Sequence, residues 1–175
     1  MKNTILRWCD ALYNICIWVS GGAIFMMSLI IPWGIFTRYV LGTGSQWPEP
    51  ISILLMVVFT FLGAAAAYRA GSHIAVAMLT DRMPPKLRKI SEYAVHGLMV
   101  VVALFMAYYG TKLCIETWGQ NIGEIPWMPV GATYLPVPLG GIITFIFIAE
   151  HLAFGSQHQR AIVTFDHEVN EPEAI

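Results

Sequence analysis

The chain has 175 residues, 57 % of them hydrophobic and only 12 % charged, with a mean hydropathy of +0.62 and a net charge of −1. Soluble domains are about a quarter charged, so too few charges remain to coat a water-facing surface, and lipid is the solvent for much of this chain. The near-neutral balance gives no footing for nucleic acid, and Cys9, Cys16 and Cys114 are scattered outside any CxxC or zinc spacing, which makes them apolar filler.

A helix needs about 20 apolar residues to cross the hydrocarbon core. Four segments qualify: residues 11–36, 51–68, 94–109 (extended at both ends by amphipathic turns) and 135–154. The expected fold is an all-α integral membrane protein. Four transmembrane helices and short amphipathic in-plane segments occupy residues 1–155, and a polar cytoplasmic tail occupies 156–175. The first run is too long for the apolar core of a signal peptide and has no small-x-small cleavage pattern, so it reads as a retained helix. Eight of the ten Lys and Arg residues fall in the N-terminus, the second loop and the tail, leaving Arg38 and Lys112 alone in the first and third loops. The positive-inside rule then puts both termini in the cytoplasm.

Lys2, Arg7 and Asp10 alternate with Ile5, Leu6, Trp8 and Leu12, an amphipathic start able to lie at the interface before turning inward. Pro32 removes a backbone hydrogen bond and should kink the end of the first span. Arg38 lies just past that end and Glu49 at the start of the second span. They are close enough in sequence to pair across the loop, and contact of Glu49 with a substrate is the less favoured reading. Trp47, Pro48 and Pro50 stiffen the turn, and proline in a first helical turn costs little.

The patch Gly63-Ala64-Ala65-Ala66-Ala67 is small for a lipid-facing surface. It belongs against another helix, in this chain or a partner. Beyond Arg69 the pattern changes to a short in-plane segment, residues 70–84, carrying Gly71 and His73. A turn at Pro84-Pro85 and a basic helix rising into the third span follow, with cations able to meet anionic lipid headgroups. Lys112 and Glu116 are spaced for local i,i+4 pairing. The third loop, residues 117–134, is rich in Gly and Pro, which forbid a long helix. Its Trp118, Glu124 and Trp127 suit a membrane surface or another protein. Glu150 is the carboxylate inside the fourth apolar run. An acid there is a functional candidate by default, but it lies near enough to the inner end to reach water, and structural anchoring is the favoured reading.

There is no phosphate loop, no HExxH and no nucleophile elbow, so an enzyme is not expected. His96 and His151 lie at similar depth on different spans, which leaves a haem-binding membrane anchor of an electron-transfer complex as the alternative. A small self-assembling channel is disfavoured by the scarcity of buried polar groups.

An ordered set of residues resembles the small membrane subunit, DctQ type, of TRAP (tripartite ATP-independent periplasmic) transporters. The set is Arg38-Tyr39-Val40, Trp47 with Glu49, Phe61-Leu62-Gly63-Ala64-Ala65, Gly71-Ser72-His73-Ile74-Ala75-Val76 and Asp81-Arg82-Met83-Pro84. The chain departs from the pattern at Pro50, where a second Glu is usual, and at Ala77, where an Asp is common. The resemblance implies a scaffold subunit without cofactors of its own. It would support a large multi-span, elevator-type subunit that holds the substrate and sodium sites in the bacterial inner membrane. A periplasmic binding protein would deliver an organic anion. On that reading Arg38, Trp47, Glu49, Gly63, Ala64, Ala65, Arg69, Gly71 and His73 serve the subunit interface or the architecture. Gly42, Ser45, Gln46, Trp118, Glu124 and Trp127 would help dock the binding protein.

Overall fold

The computed structural model describes residues 2–70 and 85–154. The expected in-plane segment with Gly71 and His73, and the polar tail, lie outside the described residues. Helix α1 spans Lys2–Tyr39, α2 Pro48–Arg69 and α3 Pro85–Thr117. A hairpin of β1 (Asn121–Ile122) and β2 (Ile125–Pro129) follows, then the short α4 (Val130–Tyr134) and α5 (Pro136–Phe154). Four helical stretches, Thr4–Tyr39, Pro48–Arg69, Tyr93–Thr117 and Val130–Phe154, are long and apolar enough to cross a membrane. Each exceeds the roughly 20 residues that a crossing needs, so the protein is a multi-pass membrane protein.

The helices pack as antiparallel neighbours. A methyl group at Gly34 of α1 would sit 3.0 Å from the Pro48 side chain at the start of α2, and one at Gly63 would sit 3.6 Å from the Ser20 hydroxyl. α5 runs beside both α2 and α3. A Cβ at Gly140 would lie 2.9 Å from Phe61, and one at Gly141 would lie 2.9 Å from the backbone of Ala103 and Ala107. Helix backbones approach this closely in lipid only where side chains are minimal, so the Gly140-Gly141 pair sets the spacing of α5 on both sides. The inner core is a cluster of Cys9, Tyr13 and Cys16 from α1, Ala65 and Ala66 from α2 and Phe147 from α5.

Two features differ from expectation. The N-terminal residues, read as an interfacial segment before the first span, are one continuous helix with it, and Pro32 lies inside that helix. The third loop has no long helix, as expected, but residues 121–129 form an antiparallel hairpin that the sequence reading did not include, with Ile122 paired to Ile125. Period-2 alternation is hidden there by Pro126 and Pro129. These prolines are tolerated because a two-stranded ladder consists of edges, where a missing N–H breaks no central bond. Ile125 anchors the hairpin by burying its side chain, which an isolated two-stranded ribbon needs to be stable.

The ends of the bundle follow from these contacts. The α1–α2 turn and the hairpin share one end. The N-terminal part of α1, the C-terminus of α2 and the C-terminus of α5 share the other.

Candidate functional site

Three charged side chains close that second end. Arg69 is the last residue of α2. Its Nε donates to Glu150 Oε2 at 2.7 Å and its Nη2 to Glu150 Oε1 at 2.8 Å. Nη2 also donates to Asp10 Oδ1 on α1 at 2.5 Å. The Arg69 and Glu150 side chains are only 5 % and 2 % exposed. The guanidinium carbon lies 5.2 Å from the Tyr13 ring centroid and 5.4 Å from that of Phe147, so aromatic faces cover the ion from both helices. A planar fork matched to a carboxylate gives strong, directional bonds. A charge buried this far is stable only if paired and hydrogen-bonded. The cluster therefore fixes α1, α2 and α5 in one register.

Sequence reading missed this cluster. Glu150 is a structural anchor, the favoured reading for it, but its partner is Arg69 rather than water. Asp10, read as part of an amphipathic start, and Arg69, assigned to the subunit interface or the architecture, are its other members. One signal was present. An acid inside an apolar run needs a cation at the same depth, and Arg69 closes the second run at the same end.

The His96 and His151 rings are stacked, with centroids 4.7 Å apart and planes tilted by 35°. That is the separation of aromatic neighbours in direct contact.

At the opposite end Arg38 and Glu49 do not pair, contrary to expectation: neither forms an ion pair among the described residues, and both are exposed. They share instead the mouth of an open groove of about 610 Å³ between α1 and α2. The turn between the helices explains the separation. Thr43 caps α1 by donating from its backbone N–H to the Thr37 carbonyl at 3.2 Å, and Gly42 and Gly44 take φ of +64° and +53°. Left-handed backbone of that kind favours glycine. Ser45 lines the groove, while Gln46 and Trp47 are exposed in the turn.

The remaining candidates fall in two places. Ala65 is fully buried in the core cluster and Gly63 faces Ser20, whereas Ala64 lies on the other side of α2, in a cleft towards α3. Trp118 and Glu124 are exposed at the hairpin, and Trp127 is 80 % exposed on β2. Lys112 and Glu116 approach to 3.7 Å on an exposed face of α3.

Residues 27–157 match the family of tripartite ATP-independent periplasmic transporters, DctQ component. The chain belongs to this DctQ family. Among its relatives is the sialic acid TRAP transporter small permease protein SiaQ of Vibrio cholerae, 32 % identical over 61 % of this chain and 66 % of that protein. The ectoine TRAP transporter small permease protein TeaB of Halomonas elongata is 26 % identical over 62 % of this chain and 57 % of its own length. The sialic acid TRAP transporter permease protein SiaT of Haemophilus influenzae is 28 % identical over 54 % of this chain, a match that covers only 15 % of SiaT. The matched region of the DctQ chain takes in α2 to α5 and the C-terminal part of α1. It therefore includes Arg69 and Glu150 but begins after Asp10.

Proposed function

We propose that this chain is the small, non-catalytic scaffold subunit of a sodium-driven, binding-protein-dependent secondary transporter that imports an organic anion across a bacterial inner membrane. Membership of the DctQ family carries the reading. The relatives named for sialic acid support an anionic substrate, and the one named for ectoine widens the class to zwitterionic solutes. The small share of SiaT that matches supports a partnership in which a much larger permease portion accompanies a unit like this one. The large subunit would hold the substrate and sodium sites and move, while this chain stays fixed. The buried Arg69–Glu150 pair supports a static role, since its polar atoms satisfy each other rather than line a passage.

The α1–α2 turn with Gly42, Ser45 and Gln46, and the hairpin with Trp118, Glu124 and Trp127, share one end of the bundle. Positive-inside asymmetry favours the periplasm for that end, where a binding protein would dock. The test is reconstitution. A large multi-span partner should co-purify with this chain, and liposomes holding both should take up solute only with sodium and the binding protein present. Full uptake by the large subunit alone would overturn the scaffold reading.

A further inference from the structure

We propose that the groove between α1 and α2 is a binding site for one phospholipid with a primary-ammonium headgroup, of the phosphatidylethanolamine class. The groove has about 610 Å³ of space, within the range of sites that enclose a small ligand. Its walls include Met27 and Ile31 on α1 and Ile53 and Met56 on α2; its mouth carries Arg38 and Glu49. The floor is set where Gly34 meets Pro48. From Arg38 back to Met27 is eleven residues of helix, about 16 Å at 1.5 Å each. One leaflet of hydrocarbon is about 15 Å deep. The groove thus runs the depth of a leaflet, apolar within and charged at the headgroup level, which is the profile of an acyl chain below its headgroup.

The charges select the headgroup. Arg38 and Glu49 form no ion pair with each other, and no partner occupies either among the described residues. A guanidinium is suited to a phosphate, and a carboxylate accepts hydrogen bonds from an ammonium. A zwitterionic headgroup with N–H donors satisfies both at once. Phosphatidylglycerol brings a phosphate but no cation for Glu49. Phosphatidylcholine brings a cation that has no N–H to donate. A helix of a partner subunit would satisfy the apolar walls, but to meet both charges it would have to carry an acid and a base at the depth of Arg38 and Glu49, where a zwitterionic headgroup carries both on one molecule. The proposal needs only the membrane-spanning fold, so it stands apart from the scaffold reading.

The test is native mass spectrometry of the full chain released from detergent after exchange with defined phosphatidylethanolamine, phosphatidylcholine or phosphatidylglycerol. The wild type should retain one phosphatidylethanolamine at about fivefold greater occupancy than phosphatidylglycerol, the scale of one exposed ion pair. E49Q should remove that preference while keeping phospholipid, R38Q should lower retention of all three lipids, and Ile53→Trp, which fills the groove, should abolish it. Circular dichroism and thermal unfolding of each variant separate a lost site from a lost fold. Equal preference in wild type and E49Q, or full retention in folded Ile53→Trp, would overturn the proposal. So would an Ile53→Trp chain that keeps its lipid but no longer co-purifies with the large membrane subunit, because the groove would then be the seat of a partner helix.

Discussion

Arg69 and Glu150, 81 residues apart in the chain, meet in a two-pronged ion pair with bonds of 2.7 and 2.8 Å. The pair joins the end of the second span to the end of the fourth, and Asp10 brings in the first. No local pattern in the sequence encodes it, yet it decides how three of the four spans are aligned.

Removing one partner should therefore be costly. Glu150→Gln removes one of the three carboxylate oxygens that the guanidinium meets, and Glu150→Ala removes two, leaving Asp10 alone beside a void. Truncation of one member of a buried pair costs about 3–5 kcal/mol, so Glu150→Ala should show a large fall in unfolding temperature in detergent. Arg69→Lys should rescue little, because an ammonium cannot span both carboxylate oxygens. Replacing all three charges, as in D10N/R69M/E150M, should be less damaging than Glu150→Ala alone. If the triple variant is the worst of the set, the cluster contributes more than mutual neutralisation.

The Gly140-Gly141 contact makes a second prediction. Gly141→Ala would drive a methyl group to 2.9 Å from the α3 backbone. Backbone cannot step aside as a side chain can, so α5 must move. Overpacking of this kind costs about 1–3 kcal/mol. Gly21→Ala is the control, since nothing lies within 4 Å of its added carbon. It should change stability by no more than about 1 kcal/mol, in the stabilising direction. Thermal unfolding of the two variants side by side checks the contrast.

Trp127 stands 80 % exposed on β2. Trp127→Ala should leave the fold within about 0.5 kcal/mol of wild type, as surface changes usually do. If the hairpin docks the binding protein, the same change should weaken that association about tenfold or more, as loss of a central tryptophan does. Binding of the periplasmic protein to the reconstituted complex is the measurement.

Arg38 and Glu49 make the opposite kind of prediction from Arg69 and Glu150. Because no ion pair joins them, the stability effects of R38E and E49R should add in lipid-free detergent to within about 0.5 kcal/mol. A double swap that restores stability lost by each single change would show a pairing that the geometry does not contain.

The spans were legible in the sequence because a bilayer imposes one dominant rule: apolar runs of sufficient length. Hydropathy located α1, α2, α3 and α5 without any knowledge of contacts, and the motif around Arg38, Trp47 and Gly63 pointed to the family. The hairpin was not legible, since Pro126 and Pro129 erase the alternation that announces a strand. The charged cluster was hidden for a different reason. Asp10, Arg69 and Glu150 each have an innocent local explanation near the end of an apolar run, and only the packing of α5 beside α2 brings them together. Arg38 and Glu49 show the converse error, where nearness in sequence suggested a pair that the glycine-bent turn holds apart.

Helix α1 has 38 residues, a rod of about 57 Å at 1.5 Å per residue. A bilayer with its headgroups is about 40–45 Å thick. Even with tilt, such a rod touches both aqueous boundaries at once, and its Asp10 bond to the end of α2 forbids it to slide by even one residue. With its register against α2 held there, α1 offers one continuous helical face across the whole thickness of the bilayer, longer than that of any other helix in the bundle among the described residues.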